Sequence, residues 1–425
     1  MLGFPPTLAG NWGVKGFCMR HIVIIGAGQA GLLLALGLLG EGYRVTVVSD
    51  RTAEQIGNGR ILSNQCVFEP ALRHERALGL NHWDGRVPPV IGIAFDAGMP
   101  GAADPFISWV SPLDNPAQSI VQRLKMSFWL TEFVNRGGEL RIAKVGPEEL
   151  AGYADEADLL LVAAGRGPQF DGVFPRDDSR SPYSEPQRAI TLHIVSQPED
   201  FYQGVTFGLV PGIGEFFVLP LLTAAGPRMG LYFSAVPGGP MDVFNGVTDV
   251  DQHLGLCRDQ LRRFFPWSAG LAEGVESGGP LDLLTGRITP VVRHGVGTLP
   301  TGQPVLAMGD TAVTNDPIAG QGANNAVHCA RIYQQLITEH GDKPFDADFM
   351  ARCFDGYWDY ARHSTRFNND LLAPPPAHVL ETLQAAQEYP EVAHRFAHLF
   401  NDPSDYEPWL GDPEVAQAYL RKVAA

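Results

Sequence analysis

The chain is short of cysteine, short of positive charge and without long apolar runs. Its 425 residues include 5 cysteines, at positions 18, 66, 257, 329 and 353, with no Cys-x-x-Cys pair. This scatter suggests neither a disulfide framework nor a metal cage, so no metal ligands are expected and a reducing cytoplasm is the expected compartment. Lys and Arg number 31 against 47 Asp and Glu, a formal charge of −16. So acidic a chain repels phosphate backbones and anionic lipid, which argues against nucleic acid or a membrane surface as partner. No apolar stretch reaches the roughly 18–20 residues that cross a bilayer. A Gly-x-x-x-x-Gly-Lys-Ser/Thr phosphate loop and a Gly-x-Ser-x-Gly elbow are also missing, which removes P-loop NTPases and serine acyl transfer.

What is present describes an ordinary globular protein. Hydrophobic residues make up 45% of the chain, and the length allows two lobes around a large core. Met1 to Cys18 contain one Lys, several Gly and Pro and no apolar h-region. They read as a poorly ordered extension ahead of a start at Met19 rather than as a signal peptide.

The first informative segment runs from His21 to Gly31, His-Ile-Val-Ile-Ile-Gly-Ala-Gly-Gln-Ala-Gly. A short apolar strand, His21–Ile25, enters a glycine turn, an apolar helix follows over 32–39, and a second strand over 44–48 ends at Ser49-Asp50-Arg51. In such a βαβ unit Gly26 permits the tight turn, Gly28 lets the backbone approach a pyrophosphate, and Gly31 lets helix and strand pack closely. The helix start at Gln29 and Ala30 offers unpaired N–H groups to phosphate. An acidic residue about twenty positions on is expected to take the ribose hydroxyls. Asp50 stands in that register, and Ser49 is equally close to it. Only one such fingerprint exists, so a second domain for a nicotinamide nucleotide is not expected.

The second segment runs from Ala307 to Asn324. A strand over 304–308 ends at Gly309-Asp310, where a carboxylate can accept a ribityl hydroxyl. Pro317 stiffens the loop, and Gly320-Gln321-Gly322-Ala323-Asn324 opens a helix expected over 323–339. Backbone N–H groups there favour negative charge on a reduced flavin ring. Together the two segments point to FAD.

Elsewhere, 119–136 reads as an amphipathic helix and 158–163 as a buried strand that leads into Ala164-Gly165-Arg166. Runs at 190–195, 205–210, 215–219 and 230–235 suggest an antiparallel sheet, the usual form of a substrate lobe. The tail beyond Asp346 is helical in pattern, interrupted by Pro374-Pro375-Pro376. His394 and His398 share a metal-compatible spacing but have no evident third ligand, so they read as a solvated helix face. The aromatic runs at 264–267 and 357–360 read as core packing.

The Gly-Asp…Asp-Pro…Gly-Gln-Gly-Ala-Asn segment, with Gly26 to Gly31, resembles flavoprotein monooxygenases of the p-hydroxybenzoate-hydroxylase fold. The likeness is greatest to the oxygenase component of two-component styrene and indole monooxygenases. Gly59-Arg60-Ile61-Leu62, Gln122-Arg123, Leu159-Leu160-Leu161-Val162, Glu185-Pro186-Gln187-Arg188-Ala189 and Gly214-Glu215 follow in order, covering nearly all of the chain from Met19. Ala164-Gly165-Arg166 replaces the Asp-Gly that single-component hydroxylases associate with nicotinamide use, and no halogenase Trp-x-Trp signature is present.

The resemblance implies an α/β fold. A Rossmann-like FAD domain would be assembled from 19–80, 117–180 and 285–345. An antiparallel substrate domain (81–116 and 181–284) would be inserted into it, and a helical region (346–425) would follow. It implies FAD bound as FADH2, delivered by a separate NADH-dependent flavin reductase. O2 would then add at flavin C4a, and the resulting hydroperoxide would epoxidise a small aromatic alkene. No side chain would act as acid, base or nucleophile. Arg51, Arg60, Arg123 and Gly165 join the expected cofactor contacts, and a homodimer stays open. Leu62, Ser63 and Gln65 are expected beside the flavin, with Ala117, and with Ile318 and Ala319 as the apolar wall opposite. The Ser63, Gln65 and Ala117 combination resembles the indole-preferring branch, and a Gln65 amide oxygen can accept an indole N–H that styrene lacks. Two other readings stay open: a reductase or dehydrogenase on the same fold, and a single-component aromatic hydroxylase.

Overall fold

The computed structural model describes residues 19–63 and 65–425, so the expected extension before Met19 and residue Asn64 lie outside the described residues. Two large sheets and a two-stranded one, Val291–Val292 with Val313–Thr314, organise the described residues. The six-stranded sheet runs in the order Val296–Thr298, Pro304–Ala307, Leu159–Val162, His21–Ile25, Arg44–Ser49, Glu139–Ile142. It is parallel except at the Val296–Thr298 edge. All five residues of His21–Ile25 are buried, as central strands covered on both faces require. Helix Gln29–Gly40 packs on this sheet beside helix Gly322–His340.

The seven-stranded sheet runs Leu283–Arg287, Ala189–Val195, Gly226–Ala235, Gly214–Thr223, Val205–Val210, Pro89–Ala97, Ile107–Gln118. It is not wholly antiparallel as expected: Pro89–Ala97 pairs with Val205–Val210 in parallel. The chain enters this sheet from two separate segments, so no hairpin turn constrains the direction of that one pair. The Pro89–Ala97 and Ile107–Gln118 strands were not read in the sequence, because Pro89, Asp96, Pro112, Asp114 and Pro116 break their apolar alternation. The expected boundaries at 117 and 285 fall inside strands Ile107–Gln118 and Leu283–Arg287.

The helix expected from Ser119 begins only at Gln122. Its would-be first turn is extended instead, because Val121 N–H donates to the Leu222 carbonyl at 3.0 Å and Ile120 bridges to the same strand. Alternation along Gly214–Thr223 splits the core in two. Phe217, Leu219 and Leu221 join a cluster shared with the C-terminal helices, while Phe216 and Val218 face helix Val250–Phe264. The C-terminal helices Ala347–Leu372, Ala377–Ala385, Pro390–His398 and Pro413–Val423 close over the first of these faces. Phe396 meets Trp109 edge-on at 5.8 Å, and Trp109 stacks on Phe95 at 5.1 Å. Phe265 is buried against Phe216, and Tyr357 is buried in the core.

Candidate functional site

The site forms where two strand–glycine–helix units meet. In the first, Gly26 has φ +118°, and its N–H donates to the Val48 carbonyl at 2.8 Å. A Cβ here would lie 2.2 Å from the Ala163 carbonyl oxygen, and one on Gly31 would lie 2.4 Å from the Gly26 carbonyl oxygen. Both glycines therefore serve close packing. Gly28 differs, since a Cβ there would meet no protein atom within 4 Å and would point into open space. It precedes helix Gln29–Gly40, whose first turn has no side-chain cap. The orphan N–H groups of that turn consequently face the same space.

In the second unit Gly309 has φ +56°, and Gly320 has the left-handed pair φ +61°, ψ 20°. The Asp316 Oδ1 accepts from Ile318 N at 3.0 Å and shapes the turn Pro317–Ala319. Helix Gly322–His340 then starts, again without a side-chain cap. Cβ atoms on Gly320, Gly322 and Gly165 would also meet nothing within 4 Å.

Between the two units lie adjoining cavities that share Gly28, Leu62, Gln122 and Ala163 to Gly165. The smaller, of about 300 Å³, is lined by Gly26, Ser49, Asp50, Arg51, Arg60 and Arg123. Ser49 donates its hydroxyl proton to the Arg51 carbonyl at 2.6 Å, which leaves the exposed Asp50 carboxylate, paired with Arg51, as the freer acceptor. Arg123, on the same lining, donates to the Gly59 carbonyl at 3.0 Å and pairs with Asp282.

The larger cavity, of about 450 Å³, is lined by Gln29, Ala30, Asp310, Pro317 and Ala323 on one side. Leu62, Ser63, Gln65, Ile318 and Ala319 also line it. Burial raises the Asp310 carboxyl above the usual range, with Arg166 and Arg293 pulling it back.

Four expected residues line neither cavity. Gly31 lies beneath the turn. Gln321 turns away to donate to the carbonyls of Ala319 and Phe400. Asn324 donates to the Cys66 carbonyl at 2.9 Å and accepts from Phe68 N at 2.9 Å, pinning the 61–68 segment to the second helix. Ala117 is fully buried opposite Val90 in the sheet, outside both linings.

The structure adds wall residues that no motif marked. Ile93, Phe207, Phe217, Leu219, Tyr232 and Phe400 complete the larger cavity. Period-two alternation along Gly214–Thr223 is the signal for Phe217 and Leu219, but only the pairing register shows which face meets the cavity. Polar atoms in this apolar wall have no partner among the described residues: Gln65 Oε1, Asp316 Oδ2, Tyr232 Oη and Asn315 Nδ2. Burial pushes the Asp316 carboxyl up to about 7, against the opposing pull of the Ile318 N–H and Arg188. Ser63 is not free, donating to Gln122 Oε1 at 3.3 Å. His394 does have an acidic neighbour, Asp114 at 2.9 Å, which also lies 3.7 Å from His398. That partner comes from strand Ile107–Gln118 of the seven-stranded sheet, far away in sequence.

Two uncapped helix starts, glycines whose missing Cβ atoms open a trough, and a carboxylate on each arm fit an FAD in extended form. The class this defines is an FAD flavoprotein with the fold of flavin-dependent monooxygenases. Comparison with known proteins agrees. Residues 165–270 match the family described as "Styrene monooxygenase A putative substrate binding domain". The chain is 28% identical over 405 residues to the styrene monooxygenase StyA of Pseudomonas fluorescens, covering 93% of this chain and 96% of that one. Among solved structures it resembles a flavoprotein/dehydrogenase from Cytophaga hutchinsonii, with TM-score 0.68, 12% identity and coverage of 95% and 99%. It also resembles p-nitrophenol 4-monooxygenase PnpA from Pseudomonas putida DLL-E4, with TM-score 0.60, 14% identity and coverage of 95% and 98%. By its homology to the styrene monooxygenases the chain is a flavin-dependent monooxygenase, and FAD is its cofactor.

Proposed function

We propose that the chain epoxidises a small aromatic alkene, indole in preference to styrene, with O2 and with FADH2 supplied by a separate NADH-dependent flavin reductase. The observation that carries this reading is the chamber itself. It is a largely aromatic and aliphatic cavity that opens directly onto the flavin cradle, with an unpartnered Gln65 amide oxygen in its wall. When bound and reduced, FAD would supply the two electrons that activate O2, one oxygen atom of which would go to the substrate and the other to water.

The chain binds, orients and excludes water. Gly28 and the start of helix Gln29–Gly40 would hold the pyrophosphate, with Asp50 on the ribose and Asp310 on the ribityl chain. The first turn of helix Gly322–His340 would stabilise negative charge at the ring edge. Leu62, Ile318, Ala319, Phe217 and Phe400 would clamp a flat hydrocarbon and keep the chamber dry, which suppresses loss of the activated oxygen to water. The lone fingerprint supports the separate electron source. A bicyclic arene with one N–H fits the polar inventory better than a pure hydrocarbon does. An indole N–H would satisfy Gln65 Oε1, whereas styrene would leave a buried acceptor unpaired at a cost of about 1–3 kcal/mol.

A dialysis-separated assay tests this. The protein is held on one side of a membrane and an unrelated NADH-dependent flavin reductase on the other, with FAD diffusing between them. Indigo pigment from indole, with slower styrene oxide formation, is the expected result. Oxidation of neither substrate would overturn the proposal, and oxidation without any reductase would overturn its two-component part.

A further inference from the structure

We propose that His193, His253 and Cys257 form a binding site for one soft, closed-shell cation, zinc(II) or copper(I), inside the substrate lobe and separate from the flavin cavities. All three residues are buried, and none lines either cavity. His253 and Cys257 stand four apart on helix Val250–Phe264, so one helix face presents both. His193 projects from strand Ala189–Val195 to meet them.

Three ligand atoms converge. His193 Nδ1 lies 3.1 Å from His253 Nδ1, and Cys257 Sγ lies 3.6 Å from His253 Nδ1. The three atoms all fall within 4.8 Å of one another. Ligands around a single ion at ordinary Zn–N and Zn–S bond lengths are separated by roughly 3.4–3.6 Å for nitrogen pairs and 3.6–3.8 Å for nitrogen to sulfur. The Nδ1–Nδ1 spacing needs to open by only a few tenths of an ångström, and the spacing of Cys257 Sγ to His253 Nδ1 already matches.

The partners on the far side of each ring orient the nitrogens for this role. Thr191 Oγ1 gives its only proton to the Leu284 carbonyl at 2.9 Å. At 2.7 Å from His253 Nε2 it must therefore accept, which places the ring proton on Nε2 and leaves Nδ1 as a lone pair aimed at the cluster. His193 Nε2 stands 2.8 Å from Ser277 Oγ, which already accepts from Gly279 N at 3.0 Å and can accept a second proton. Metal-bound imidazoles usually give the outer N–H to an oxygen acceptor, a role that the Thr191 and Ser277 hydroxyls can take here. Two imidazoles and one thiolate suit trigonal copper(I), or zinc(II) completed by water. The ion would staple the back of the substrate sheet to helix Val250–Phe264. Cysteine spacing could not show this, because the third ligand comes from a strand 60 residues away.

The test uses the full-length, tag-free protein, freed of flavin and produced in media supplemented with zinc, copper or cobalt. Elemental analysis is expected to find one zinc or one copper ion per wild-type chain, and the better-retained ion identifies the native one. The cobalt form is expected to show thiolate-to-metal charge transfer in the near ultraviolet. Occupancy should vanish in Cys257→Ala and His193→Asn, and fall about 10-fold or more in Thr191→Val. Folding of each variant is checked by circular dichroism and FAD binding. If a variant does not fold, the wild-type metal content and the cobalt spectrum decide alone. Wild-type protein without metal from any medium, or cobalt bound without the thiolate band, would overturn the proposal in favour of a proton shared between the two Nδ1 atoms.

Discussion

Arg188 grips Glu215 with two parallel hydrogen bonds, Nε to Oε2 at 2.9 Å and Nη2 to Oε1 at 2.8 Å, and both side chains are buried. The same Nη2 also donates to the carbonyl of Leu372 at 3.3 Å, at the end of helix Ala347–Leu372. One guanidinium thus joins the substrate sheet to the C-terminal cap. Burial lowers its pKa, but Glu215 more than reverses this, so it stays charged. Arg188→Met, which strands the carboxylate, is expected to cost about 3–5 kcal/mol, and Arg188→Met with Glu215→Leu to recover most of that. Thermal unfolding of the three proteins checks this. Equal losses in single and double variants would contradict it.

The two central glycines of the first turn should fail differently. Gly26→Ala forces a side chain against the Ala163 carbonyl at φ +118°, so it should destabilise the fold by roughly 1–3 kcal/mol. Gly28→Val has an accessible φ of −81° and open space ahead of it. It should leave the melting temperature of flavin-free protein unchanged while weakening FAD by about 10-fold or more, or ~1.4 kcal/mol. Fluorescence titration with FAD separates the two effects.

How much was legible in advance depended on sequence distance. The glycine units were, because strand, turn and helix are consecutive and His21–Ile25 pairs with the next strand, Arg44–Ser49. The chamber wall was not. Tyr232, Phe207 and Phe217 reach it through the register of a sheet whose strands come from two separate segments, and that register depends on long-range pairing. Motif position does not reveal side-chain roles. Gln321 and Asn324 sit inside the second glycine segment, yet their side chains fasten neighbouring loops. His193 and His253 meet only once the sheet and its covering helix are assembled.

Substrate choice should follow Gln65. Gln65→Val with Ser63→Asn removes the unpartnered amide oxygen and the Ser63–Gln122 contact. The indole-to-styrene ratio of kcat/KM is expected to fall by about 5-fold or more, from the roughly 1–3 kcal/mol that an unpaired buried acceptor costs. An unchanged ratio would refute the pocket assignment.

Asp316 should leave a mark on stability against pH. Its carboxyl titrates near 7 in the fold, against about 3.8 when unperturbed. Between those values the native state holds a proton that the unfolded chain has released. Stability is therefore fully present below about pH 4 and declines as pH rises through 7, by at most about 4 kcal/mol from this group. Asp316→Asn should flatten that decline in flavin-free protein. Denaturant midpoints measured across this range provide the check, and parallel curves for the two proteins would contradict it.

The central claim is oxygen transfer from O2 to an aromatic alkene within the chamber that joins the flavin cradle. Its most direct test is a single turnover of the protein with chemically reduced FAD, indole and isotopically labelled O2, followed by mass spectrometry of the product. An oxidised indole carrying one labelled oxygen atom is expected. An unoxidised substrate, or a product whose oxygen comes from water, would contradict it.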